Sequence, residues 1–241
     1  MTIASCGSVS ALTLELPDSS AIPAEKATLP KGLFVAKMPV SVKTKQHLAS
    51  DIEAITMLSL LRSRNTQLAA GTRIPEILVI GLRLRTKNAA IPADVIELIA
   101  AQRKSGIVFT CVRDADFEGT TRQECAFAIR RALPGRAGHT QTFHVFESPW
   151  TAAGEAMLDI SDPTVESIDA LWESLCSQVI LGDSSPTALD ARITRHMQIA
   201  QLTTLIAKLQ KDHQRVKNPT QRNEIFAKLQ KAKKQLEMLQ S

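Results

Sequence analysis

With 241 residues, 44% of them hydrophobic and 22% charged, the chain can form one globular domain with an appendage or two small domains, but not two large ones. Ten glycines, 4% aromatics and no tyrosine argue against a β-sandwich and against an aromatic platform for single-stranded nucleic acid. The net charge of +5 is uneven: eleven Lys and Arg against four Asp and Glu from Asp190 to Ser241 give +7 there, which leaves −2 for the rest.

A mildly acidic body with a basic tail points to a polyanion or an acidic protein face as partner. A helix surface kept soluble by lysine accounts for the same charge. Cys6, Cys111, Cys125 and Cys176 form no CxxC pair, and the last three lie in apolar stretches. That is the pattern of a reducing compartment. No run approaches the roughly 20 apolar residues of a membrane span, and no basic segment leads into an apolar core at the start. The expectation is a cytoplasmic protein without disulfides.

In chain order, residues 1–30 are rich in Ser, Ala, Thr and Pro and read as a poorly ordered lead-in, with Ala11–Leu16 able to form a short strand. Gly32–Val42 reads as an extended arm covering one edge of the fold, since Pro39 excludes a central strand. Lys45–Arg64 carries Leu48, Ile52, Ile55, Leu58 and Leu61 at helical spacing, which predicts a helix with Thr44 as its cap. Glu76–Arg85 (EILVIGLRLR) predicts a strand, and Pro92–Arg103 a short helix opened by Pro92.

Three further strands are predicted at Gly106–Arg113, Gln123–Arg131 and Thr140–Glu147. Short turns make these an antiparallel meander, which the strand Glu76–Arg85 joins through its crossover helix. Asp162–Ile180 predicts a long helix capped by Asp162 and opened by Pro163, and Gly182–Pro186 a linker. The expected fold is therefore α+β: a mixed, mainly antiparallel sheet of about four strands with packed helices, and a C-terminal helical hairpin or coiled coil. The expected divisions are 1–30, an α+β body at 31–181 and a basic helical tail at 187–241.

In the tail, Leu202, Leu205, Leu209 and Val216 follow three-four spacing, and Phe226, Leu229, Ala232, Leu236 and Leu239 resume it after Asn218–Pro219–Thr220. Asn218 suits an N-cap and Pro219 a first helical residue. Two such helices can fold back as a hairpin or continue as a kinked coiled coil with a second chain. Stretches of this length are marginal alone and must pack on something. Leu202, Leu205, Leu209, Phe226, Leu229, Leu236 and Leu239 are the candidate partner-binding residues. Docking of the tail onto the body is the competing account.

The chemistry is sparse. Asp114, Asp116 and Glu124, with Glu118, crowd one turn, and carboxylates at adjoining strand ends can bind magnesium as nuclease sites do. The acid–x–lysine strand of such a nuclease is absent, and a solvated acidic hairpin turn is the preferred reading of the cluster. His139 and His144 lack ligand partners at metal spacing, and His47 sits near a predicted helix start. No Ser–His–Asp arrangement, GxxxxGK loop or GxGxxG is present, so no catalytic residue and no cofactor is expected. Arg83, Arg85, Arg113 and Arg131 are candidates for a phosphate-binding stripe along the sheet; pairing with nearby carboxylates is the alternative.

LPKGLFVAKMPVSVKTKQHLASDIEAITMLSLLR at Leu29–Arg62, IPEILVIGLRLR at Ile74–Arg85, GIVFTCVRD at Gly106–Asp114 and the closing KNPTQRNEIFAKLQKAKKQLEML resemble a bacterial family, the domain-of-unknown-function family numbered four-three-nine-one. Members often lie beside genes for helicases and DNA methyltransferases in phage-defence or restriction clusters. The resemblance implies an accessory role near DNA-acting machinery and carries over no active site. Pro219 departs from the family pattern, where a polar residue is expected, and argues against one continuous helix. The expected function is a non-enzymatic accessory or scaffold subunit docking a helicase or methyltransferase through the tail. The alternatives are a nucleic-acid-binding or metal-dependent nuclease module, and a homo-oligomeric structural protein.

Overall fold

The computed structural model describes residues 2–36, 39–133 and 141–240. The chain divides into two compact units, Met1–Thr187 and Ala188–Ser241. In chain order the first contains strands β1 (Ser5–Cys6) and β2 (Val9–Ser10), helices α1 (Gly32–Val35) and α2 (Val42–Ser50), β3 (Ile52–Leu61), α3 (Ser63–Thr66) and β4 (Ile77–Leu84). It continues with α4 (Ala93–Ala100), β5 (Gly106–Phe117), β6 (Thr120–Leu133), β7 (Thr142–Glu147), β8 (Thr151–Ala152) and α5 (Ile168–Leu181). The second unit contains α6 (Leu189–Arg215) and α7 (Pro219–Gln240).

The fold is α+β with a mainly antiparallel sheet. Among the described residues the main sheet has six strands where about four were expected, in the order β3-β4-β5-β6-β7, with β8 also paired to β6. The meander β5-β6-β7 is as the sequence predicts, and β4 lies parallel to β5 across the crossover helix α4. The β5–β6 turn places Glu118 and Gly119 at φ of 49° and 79°, as a tight two-residue hairpin turn requires. Expected strand residue Thr140 lies outside the described residues.

Strand β4 is buried on both faces because both are covered. Leu78, Ile80, Leu82 and Leu84 join Ile107, Phe109 and Cys111 of β5 against Val95, Ile96 and Ile99 of α4 and Leu48 of α2. The opposite face meets α5 and the N-terminal segment. There Gly106 lets Trp172 lie so close that a Cβ would sit 2.6 Å from its ring, and Gly81 does the same for Cys6.

Three expectations are corrected. The predicted helix Lys45–Arg64 ends at Ser50, and Ile52–Leu61 is a strand. Register shifts at Ile52/Ala54 and Met57/Ser59 turn Ile52, Ile55, Leu58 and Leu61 inward at three-residue intervals, so a bulged strand imitates the period of a helix. The lead-in is also part of the fold: Val9, Ala11 and Leu14 are fully buried. Ile22 donates its N–H to Leu58 O, Met57 to Ala27 O and Leu29 to Ile55 O, at 2.8–3.1 Å. Residues 22–29 thus cover the free edge of β3, the role expected of Gly32–Val42, of which Gly32–Val35 is a helical turn.

Helix α5 begins later than predicted. Asp162 accepts from the N–H and hydroxyl of Thr164 in a local turn, and Ser167, accepting from Ala170 N, is the cap. In the second unit the Asn-Pro break is real. Asn218 Oδ1 accepts from Thr220 N at 2.9 Å and Gln221 N at 3.3 Å, and α7 starts at Pro219. The two helices run antiparallel, with the His213 and Phe226 rings 5.8 Å apart near the turn and Arg195 Nε donating to Leu239 O at the other end. Among the described residues no helix is long and apolar enough to cross a membrane.

Candidate interaction surface

The sheet arginines do not form a stripe. Alternation along the strands puts Arg83 and Arg131 on the α5 face and Arg113, opposite Glu124 in the register, on the α4 face, and Arg85 lies just past the end of β4. Arg83 is level with Val112 and Arg131 with Gly106, about six residues or ~20 Å apart along the strand. Each guanidinium is also engaged. Arg83 meets Asp114 at 2.7 Å, Arg113 meets Glu124 at 2.9 Å, and Arg131 meets Glu173 at 2.7 Å. Arg85 Nε donates to Ser50 O.

The carboxylates fail as a metal site for the same reason. Asp114 and Asp116 point to one face and Glu124 to the other, and among the described residues no three metal-ligating side chains converge. Hydrogen bonding to Arg83 holds the Asp114 carboxyl below its usual range, Lys87 does so for Asp116, and Arg122 with Arg113 for Glu124. Glu124 is 7% exposed, gripped by Arg122 and Arg113, which themselves lie over the rings of Phe117 and Trp150. These are ion pairs that tie strand ends together. His144 lies against Phe146, and His139 lies outside the described residues.

Sequence reasoning passed over one pairing in the body. His47 Nδ1 and Asp94 Oδ2 are 2.8 Å apart, linking α2 to the start of α4. They border an open groove of about 610 Å³ with Lys43, Thr44 and Asp51. The residues are 47 positions apart, and only the register of the sheet brings them together. The geometry is that of a helix-to-helix tie.

The hairpin presents a different surface. Its candidate residues divide into two sets. Leu229 is buried, with Ala232, between α6 and α7, and Leu202, Leu209, Leu236 and Leu239 are half-buried beside them. Leu205 and Phe226 stay 44% and 48% exposed. Leu202, Leu205 and Leu239 line an open groove of about 510 Å³ together with Met238, rimmed by Gln198, Gln201 and Gln235. Met238, 71% exposed, falls outside the leucine pattern and is not found by it. Only Gln198 to Leu205 of α6 are involved, two helical turns or ~10 Å.

A family model described as Domain of unknown function (DUF4391) matches residues 14–236. No curated protein and no solved structure matches the chain.

Proposed function

The chain belongs to the DUF4391 family, and on that premise we propose that it is a non-catalytic accessory subunit whose hairpin holds a protein partner, a helicase or DNA methyltransferase of a phage-defence or restriction-like complex. The observation that carries the proposal is the groove of Leu202, Leu205, Met238 and Leu239. A hairpin with so few buried side chains between its helices has apolar surface left over, and apolar surface gathered in a groove marks an interaction site. The groove spans two helical turns, the reach of apolar anchors three and four residues apart on a partner helix. Glutamines rather than charges rim it, which suits a partner helix read by shape and hydrogen bonds.

Tagged protein purified from its native cells tests the proposal. Wild type brings down a helicase or methyltransferase in a fixed ratio. The pair Leu205→Gln and Met238→Gln keeps the helical circular dichroism and loses that partner, because each buried apolar side chain contributes about 1.5–3 kcal/mol and 1.4 kcal/mol is tenfold in affinity. A wild-type chain that elutes alone, or whose only partner is a second copy released by the same pair, overturns it.

A further inference from the structure

The turn end of the hairpin carries a second surface. Between Lys208 and Lys234 stand nine lysines and arginines against two carboxylates, Asp212 and Glu224. All nine are exposed except Lys233, which is half-buried. Along the sheet of the body, Arg62, Arg73, Arg83, Arg113, Arg122, Arg130 and Lys87 each have a carboxylate within ion-pair distance. Among the described residues none of the nine has such a partner. The half of the hairpin that holds the apolar groove is balanced, with Arg192 and Arg195 against Asp190 and Glu237. The uncompensated charge is therefore concentrated at one end.

We propose that this basic end binds the phosphodiester backbone of double-stranded nucleic acid, without reading its sequence. Lys208, Lys211 and Arg215 lie on α6 away from the half-buried row Ile206, Leu209 and His213, and the spacing of Lys228, Lys231 and Lys234 puts them on α7 away from the buried Leu229 and Ala232. The charge wraps the hairpin instead of following one flank, which suits a polyanion more than the face of a folded protein. Seven of the nine are lysines, a residue depleted from protein interfaces and common in backbone contacts. From Arg222 to Lys234 the helix extends ~18 Å, over which a duplex presents about ten phosphate charges at one per ~1.7 Å. This surface is separate from the groove assigned to the protein partner.

The test is fluorescence anisotropy of the full chain with a short mixed-sequence duplex DNA and the same duplex as RNA, between about 50 and 200 mM salt. With about five phosphates neutralised, log K falls with log salt at a slope of about −4.5, so affinity drops ~500-fold across that range. Lys208→Glu, Lys228→Glu, Lys231→Glu and Lys234→Glu together weaken binding more than about 100-fold at the low-salt end and flatten the slope. Glutamine at the same four positions does so less steeply and decides the matter if the reversed chain misfolds. Leu205→Gln with Met238→Gln binds duplex as wild type does, so loss of the protein partner and loss of the duplex are read separately. Equal affinity for both duplexes gives backbone recognition of either; a preference names the source. No duplex binding at about 50 mM salt, binding untouched by the charge changes, or binding only to polyglutamate or anionic vesicles overturns the proposal.

Discussion

Asp169 shows how much one carboxylate can organise. It stands in the first turn of α5 and accepts from Thr72 N and Oγ1, from Arg73 N and from Ile74 N at 2.8–3.1 Å. Burial pushes its carboxyl up, but these donors outweigh it and hold the group at about 2, against an ordinary 3.8. The folded state thus favours the charged form. Its contribution is complete above about pH 4 and is lost as pH falls towards 2. Asp169→Ala should cost about 1–3 kcal/mol at neutral pH, since hydrogen bonds to a charged group are removed together, and should lower the melting temperature by several degrees. The difference in melting temperature between variant and wild type should shrink as pH is lowered from 5 to about 2.5. The cysteines give a second expectation at this scale. All four are buried; burial pushes the Cys6 and Cys125 thiols up to about 12 and Cys111 well above the usual range. A thiol-alkylating agent at neutral pH should leave the native protein unmodified over minutes and label four sites in denaturant, as followed by mass spectrometry. Rapid native labelling would contradict the packing of β1, β5, β6 and α5.

Among the elements, strands with one dominant signal were legible in the residues. EILVIGLRLR is apolar enough to be central, and Asn218–Pro219 stops one helix and starts another with the residue types that each end needs. Strand β3 was not legible, because two bulges give it the three-residue spacing by which helices are recognised. Residues 2–30 were not legible either. Their apolar positions follow no single period, and their ladder partners lie in β3, some 30 residues on. In the candidate site the leucine pattern marked the helices that meet. It could not say which leucines face the other helix, as Leu229 does, and which stay outside, as Leu205 does, nor bring Met238 into the groove. The edge role of the N-terminal segment leads to a prediction. A chain beginning at Pro30 loses the pairing to Ile55, Met57 and Leu58 and bares the backbone of β3. It should aggregate at concentrations where the full chain stays monodisperse by light scattering, and its monodispersity would show that the segment is dispensable.

On the scale of the whole molecule, the division at Thr187 and Ala188 separates two kinds of stability. The first unit has its own core, with Phe109, Ile80, Ile96 and Val108 essentially inaccessible to solvent, and helix α5 is finished by Gly182 at φ 78°, whose N–H returns to Ser177 and Gln178 carbonyls. The meander, α4 and the N-terminal ladder all belong to the first unit. The second unit has two long helices, which bury Leu189, Ile193, Leu229 and Ala232. Helices in water draw most of their stability from a packed face, and α6 and α7 bury Leu229 and Ala232 along the part that carries the basic end. A chain ending at Thr187 should therefore fold, with a single cooperative thermal transition and the near-ultraviolet signal of Trp172 packed over Gly106. In the full chain, Leu229→Glu should open the hairpin, because it puts a charge at a buried position; amide exchange should become fast in residues 200–235 while the amides of β4 and β5 stay protected. Leu205→Gln should leave exchange slow in both places, since its side chain already meets solvent. Fast exchange in β4 and β5 of the Leu229→Glu chain, or a chain ending at Thr187 that melts without cooperativity, would show that the hairpin completes the body's core, and the surface assigned to a partner would then belong to the fold itself.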